Sequence, residues 1–186
     1  GNGTIDGSAS EWATDGGRAY AISSDGSVIA GYANDGITTR TYRWTATTGM
    51  VSIRGDWVTG SGGVSAMSSD GSVIAGHVMD GNNNNTMSGY RWDADTGMVN
   101  IADTDRNGTV DGSPNEWATD YTNVSGMSSD GSVIAGITRV GSVFRAFRWD
   151  ADTGMVNIAG DWATGNSYTA AISSDGSAIV GNGYDI

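Results

Sequence analysis

The pentapeptide Ser-Ser-Asp-Gly-Ser occurs four times, starting at Ser23, Ser68, Ser128 and Ser173, with gaps of 45, 60 and 45 residues. Such regular copies mean that one small supersecondary unit is used repeatedly, which restricts the chain to a propeller, a solenoid or an array. An acidic residue followed by Trp keeps the same rhythm at Glu11-Trp12, Asp56-Trp57, Glu116-Trp117 and Asp161-Trp162. Between successive Ser-Ser-Asp-Gly copies lies an aromatic-Arg-Trp motif, at Tyr42-Arg43-Trp44, Tyr90-Arg91-Trp92 and Phe147-Arg148-Trp149. Each is followed by Thr-Gly-Met, ending at Met50, Met98 and Met155. The larger period is therefore a 105-residue supermodule made of a short and a long unit.

Each unit reads as two β-hairpins. In the first, Ala21-Ile22-Ser23 turns through Ser24-Asp25-Gly26-Ser27 into Val28-Ile29-Ala30-Gly31. Asp-Gly is a strong hairpin signal because the turn needs a positive φ, which Gly adopts without strain. In the second, Tyr42-Arg43-Trp44 turns through a polar stretch ending at Gly49 into Met50-Val51-Ser52-Ile53, with aromatic and β-branched residues suited to a pleated surface. No segment carries apolar residues at helical spacing over three turns, and the chain has 30 Gly and one Pro. The expectation is an all-β repeat protein of β-propeller-like blades, two hairpins and about 45 residues per unit. An open β-solenoid-like stack is the alternative. Residues 1–186 read as a single repeat domain with units at about 1–54, 55–105, 106–159 and 160–186.

The last unit lacks its second hairpin. Two full supermodules would hold 210 residues against the 186 here, and the missing 24 correspond to Asn82 through Asp105. An unpaired blade edge is a template for another strand. The expectation is that a neighbouring subunit or a continuing array supplies the piece.

Ile22-Ser23-Ser24-Asp25-Gly26-Ser27-Val28-Ile29-Ala30 resembles the inner hairpin of propeller blades of the WD and TolB-like kind. Arg91-Trp92-Asp93-Ala94-Asp95-Thr96-Gly97-Met98-Val99 resembles their outer hairpin. Together they resemble the bacterial extracellular repeats of the HAF family, whose His-Ala-Phe signature precedes Arg-Trp. Arg145-Ala146-Phe147-Arg148-Trp149 is the nearest local match, with Arg in place of His, and the other copies read Arg40-Thr41-Tyr42 and Ser88-Gly89-Tyr90. The resemblance covers nearly the whole chain. It implies an extracellular or cell-surface location and carries no settled activity.

Nine Arg, no Lys and 21 acids, all but two of them Asp, give a net charge of −12. Such a surface repels nucleic acid and anionic membranes, since phosphate binding needs a basic patch. It suits divalent cations or a salty exterior. There is no Cys, so disulfide and thiol chemistry are excluded. No apolar run is long enough for a membrane-spanning helix.

The acidic insertion that lengthens the long unit is the best chemical candidate. Asp103, Asp105, Asn107, Gly108 and Asp111 occupy positions 1, 3, 5, 6 and 9 of an EF-hand-like loop, and Thr109 would offer its carbonyl at position 7. Pro114 stands where the bidentate acid belongs, and Glu116 is the candidate replacement. The N-terminal counterpart keeps Asn2, Asp6 and Glu11, and Asp185 could complete it. Ca²⁺ is the expected cofactor, held on a loop between strands.

Asp25, Asp70, Asp130 and Asp175 read as turn formers rather than ligands, because every copy has one. Trp12, Trp57, Trp117 and Trp162 are expected to pack against neighbouring blades. Arg43, Arg91 and Arg148 are expected to bridge blades through carboxylates or carbonyls. The single His, His77, reads as a polar residue just past a strand. Asn-X-Ser/Thr sites stand at Asn2, Asn84, Asn107 and Asn123. Catalysis is not expected, since no activated nucleophile can be assembled. The functional expectation is a secreted, calcium-stabilised structural or adhesive repeat protein that self-associates into a homo-oligomer or filament. A glycan-binding, lectin-like propeller is the alternative.

Overall fold

The computed structural model describes residues 16–34, 36–80, 86–102, 121–160 and 164–185. Among them every regular element is a strand, and the strands form three four-stranded antiparallel meanders followed by a hairpin. The first blade runs β1 (Gly17–Ile22), β2 (Val28–Asn34), β3 (Thr39–Thr45) and β4 (Gly49–Ser52). The second runs β5 (Val58–Met67), β6 (Ile74–Asp80), β7 (Thr86–Asp93) and β8 (Gly97–Asn100). The third runs β9 (Thr122–Met127), β10 (Ile134–Val140), β11 (Val143–Asp150) and β12 (Gly154–Asn157). The last hairpin is β13 (Ser167–Ile172) and β14 (Ile179–Gly183). These are propeller-like blades of two hairpins each, and no sheet closes on itself among the described residues.

The Ser-Ser-Asp-Gly-Ser copy makes each first hairpin by a small set of hydrogen bonds. Ser23 N–H donates to the Val28 carbonyl at 2.9 Å, and Val28 N–H returns a bond to Ser23 Oγ at 2.9 Å. The Ser23 hydroxyl and the Ser27 amide and hydroxyl all donate to Asp25 Oδ1. Gly26 takes φ +76°. The same bonds surround Asp70, Asp130 and Asp175, so the turn-forming role of the four Asp is a structural fact.

A β-bulge recurs in the first strand of each unit, at Tyr20, Ser65, Ser125 and Ala170. Bulges bend a strand and increase its twist. Here they press the first strand onto a glycine of the second. A Cβ at Gly76 would lie 2.0 Å from the Gly63 carbonyl oxygen, and one at Gly136 would lie 2.2 Å from that of Asn123. Only Gly fits. Its bare face also admits the ring of the third strand, since the same Cβ atoms would meet Tyr90 and Phe147 at 3.0 and 2.8 Å.

The second strands run about three residues beyond the Gly of Val-Ile-Ala-Gly. His77 therefore sits in the middle of β6, opposite Gly63 and Gly89, rather than past a strand. Its ring fills the space above Gly63. The period-2 signal was weak there because the strand is flanked on both sides and alternation fades.

Candidate interaction surface

Blades join head to tail in one repeated way. The first strand of each later unit packs on the first three strands of the unit before it, β5 on β1–β3, β9 on β5–β7 and β13 on β9–β11. The turns also join. Ser24 N–H donates to the Ser69 carbonyl at 2.8 Å, Ser69 N–H to Ser129 at 2.7 Å, and Ser129 N–H to Ser174 at 2.7 Å. Gly71, Gly131 and Gly176 nest against Val28, Val73 and Val133 of the preceding turn, where added Cβ atoms would come within 2.5, 2.6 and 2.8 Å. Gly26, in the first turn, faces open space.

Between blades lie two matching apolar cores. Ala30 and Ile53 of the first blade share a cluster with Val64, Ile74, Tyr90 and Met98 of the second. Ala75, Ile101 and Ala102 of the second share one with Val124, Ile134, Phe147, Trp149 and Met155 of the third. In each, the later blade contributes the aromatic residue and the Met of its second hairpin. Trp57 packs against the first of these cores and donates Nε1–H to the Met98 carbonyl at 3.1 Å. The other three acidic-Trp residues lie outside the described residues.

The third interface is built differently. Ile158 is the counterpart of Ile53 and Ile101 and makes the same amide bond, to the Ala146 carbonyl at 3.1 Å. Ile53 is 4% and Ile101 0% exposed, but Ile158 is 37% exposed. It borders a cavity of about 320 Å³ lined by Ala146, Ala159, Ile179 and Gly181, among others. Among the described residues β14 pairs only with β13. The last copy also reads Ala178-Ile179-Val180 where the others read Val-Ile-Ala. Val180 is 60% exposed, against 0%, 0% and 1% for Ala30, Ala75 and Ala135.

The arginines divide by their neighbours. Arg43 Nε donates to the Gly71 carbonyl of the next blade at 3.2 Å, as a bridging role requires. Arg91 and Arg148 instead pair with Asp93 and Asp150 of their own strands. Thr45 occupies the Asp position in the first blade, which leaves Arg43 to reach across. Of the three arginines expected to bridge blades, Arg43 does so among the described residues, while Arg91 and Arg148 are held by acids of their own strands.

Hydrogen bonds to the turn carboxylates, led by the first Ser hydroxyl of each motif, hold Asp25, Asp70, Asp130 and Asp175 down at about 2. Burial pushes Asp93 and Asp150 up, but bonds from Thr96 with Arg91, and from Arg148 with Thr153, outweigh it and leave both at about 2. These carboxylates are occupied in turns. Burial lowers the His77 imidazole. Among the described residues no three His, Cys, Asp or Glu side chains gather to hold a metal. All nine calcium candidates, Asn2, Asp6, Glu11, Asp103, Asp105, Asn107, Thr109, Asp111 and Glu116, lie outside the described residues. Asp185 accepts from the Thr164 amide at 3.5 Å. The Asn123 sequon lies within β9.

Solved structures of two proteins share this architecture. TolB from Acinetobacter baumannii matches with a TM-score of 0.51 at 19% identity, over 73% of this chain and 30% of that one. A putative TolB from Agrobacterium tumefaciens matches with a TM-score of 0.53 at 15% identity, over 83% of this chain and 53% of that one. The blades are of the TolB propeller kind. At such identities the likeness shows the fold alone, and the chain spans only about a third to a half of the length of these neighbours. No family model and no curated protein matches the sequence, so membership of the HAF family gains no support from them.

Proposed function

We propose that this chain is a structural or adhesive β-repeat protein that self-associates by extending its own head-to-tail blade packing. One observation carries the reading. The same packing of a first strand on the three strands before it is made three times among the described residues, and matching apolar cores fill the first two of these interfaces. Ile22 on β1 is 64% exposed, whereas its counterparts Met67 and Met127 pack on the inter-blade cores and Ile172 lies against Gly126. A head-to-tail contact of this type makes a ring if its rotation closes and a filament if it does not.

Two further parts of the reading rest on sequence. The spacing of Asp103, Asp105, Asn107 and Asp111 supports a calcium loop that ties the long unit and stabilises the folded state by binding it selectively. The HAF-like motifs and the −12 charge support an extracellular or cell-surface setting. The role is one of assembly and carries no catalytic step.

Electron microscopy and sedimentation of the protein with and without a calcium chelator test this. Ordered oligomers or filaments that loosen on chelation are expected. Compact single particles indifferent to both concentration and chelator would reject it.

An aromatic row supports a second reading, glycan binding. Tyr121, Phe144, Tyr168 and Tyr184 follow one another at ring-centroid distances of 5.6, 6.0 and 6.5 Å, with Tyr184 exposed. Rings with an apolar face and a polar tip suit sugar stacking. Titration with oligosaccharides, lost on Tyr184→Ala, would favour it, and a glycan array without hits would dismiss it.

A further inference from the structure

We propose that one water molecule is bound inside the first inter-blade core, bridging the Tyr90 and Thr41 hydroxyls, and that this contact sets the first interface apart from the second. Such a site lies wholly within one chain and is independent of self-association.

Tyr90 and Thr41 are fully buried and belong to different blades. Tyr90 stands on β7 with its ring over Gly76, where an added Cβ would meet it at 3.0 Å. It is part of the apolar core that the second blade shares with Ala30 and Ile53 of the first. Thr41 stands on β3, and its carbonyl accepts the Ile53 amide at 3.1 Å. Ile53 thus links the two residues, tied to Thr41 through the main chain and sharing a core with Tyr90.

Neither hydroxyl has a hydrogen-bond partner among the described residues. They are neighbours all the same. Burial pushes the Tyr90 phenol far up, and the nearby Thr41 hydroxyl draws it part of the way back. Two buried hydroxyls left without bonds cost free energy in an apolar core. A single water both donates and accepts, so it can satisfy the pair at once. The other members of that core are apolar, so they offer no polar side chain for a larger polar ligand.

The repeat supplies an internal control. Gly89 holds the Ile101 amide as Thr41 holds that of Ile53. Phe147 takes the place of Tyr90, opposite Gly136 as Tyr90 is opposite Gly76. Ile101 and Phe147 share the second core. Both hydroxyls are therefore missing together. Phe147 set against Thr41 would strand the Thr hydroxyl, and Tyr90 set against Gly89 would strand the phenol. Blades of nearly the same sequence are told apart by that mismatch.

The test uses the full chain. A crystal structure that shows ordered water should place one water within hydrogen-bond distance of both Tyr90 Oη and Thr41 Oγ1. Thr41→Ser, which keeps the hydroxyl, should retain it, and Thr41→Val should lose it. In urea unfolding, Tyr90→Phe and Thr41→Val should each raise the unfolded-to-folded ratio about tenfold. Combined, they should raise it far less than the roughly hundredfold product, because the second change removes a group the first left unpaired. A direct bond between the two hydroxyls, or a water bonded to only one of them, overturns the site. So do single effects that simply multiply in the double variant.

Discussion

The Ser69 amide donates to the Ser129 carbonyl in the next blade at 2.7 Å. Ser24 with Ser69, and Ser129 with Ser174, make the same bond, so the four turns form a continuous backbone track across the inter-blade boundaries. The Val–Gly nesting beside each bond keeps the turns close enough for it to form.

That nesting is open to a double-mutant cycle. Gly131 has φ +75° and no room for a Cβ beside Val73. Gly131→Ala should lower stability by about 2 kcal/mol through left-handed strain and the clash together. Val73→Ala should recover the clash but not the strain, so the two changes combine less than additively in urea unfolding.

The Arg43 bridge depends on Thr45. Thr45→Asp recreates the Arg-X-Asp spacing of Arg91 with Asp93, and Arg43 should turn to the new carboxylate and leave the Gly71 carbonyl. Chemical shifts of the Arg43 Nε–H and of Gly71 read the switch. The stability change should stay within about 0.5 kcal/mol, as for other exposed ion pairs.

Acid should unfasten the turns. Asp25, Asp70, Asp130 and Asp175 are held at about 2, well below the usual carboxylate range. A depressed carboxylate stabilises the fold above its unfolded value, and that stabilisation is lost as pH falls toward the folded one. Thermal midpoints should therefore be flat above about pH 4 and should decline from there to about pH 2. Asp70→Asn with Asp130→Asn should flatten the decline.

The exposed front face makes a distinct prediction. Ile22→Asp should leave the melting curve nearly unchanged, because the side chain lies at the surface. It should abolish concentration-dependent sedimentation by placing a charge where Met67 and Met127 stand in the internal interfaces. Unchanged sedimentation would remove Ile22 from the assembly contact.

Much of the blade was legible in the residues. Asp25-Gly26 marked the hairpin because few residues other than Gly take the required φ without strain, and the aromatic-Arg-Trp motif marked the third strand by its branched and aromatic content. The length of β6 was not legible, since His77 breaks the apolar pattern while its ring packs on Gly63. The arginine partners were not legible either. Arg43, Arg91 and Arg148 share one motif, and a single residue two places later sends the first across the interface and keeps the others at home. The cavity beside Ile158 had a signal in the missing aromatic-Arg-Trp copy, but its walls come from two units and needed the packed structure to be seen.

By itself the sequence determined the all-β class, the four-fold unit and the chemistry of each turn, because these rest on residues adjacent along the chain with special backbone or side-chain demands. Tertiary structure decided how blades join. The Ser24–Ser69–Ser129–Ser174 track is made of main-chain amides and carbonyls, which are common to nearly every residue and leave no mark in composition. The glycines opposite the bulges, Gly76 and Gly136, could be read as Gly but not as contact points, since the carbonyls they meet belong to strands placed there only by folding.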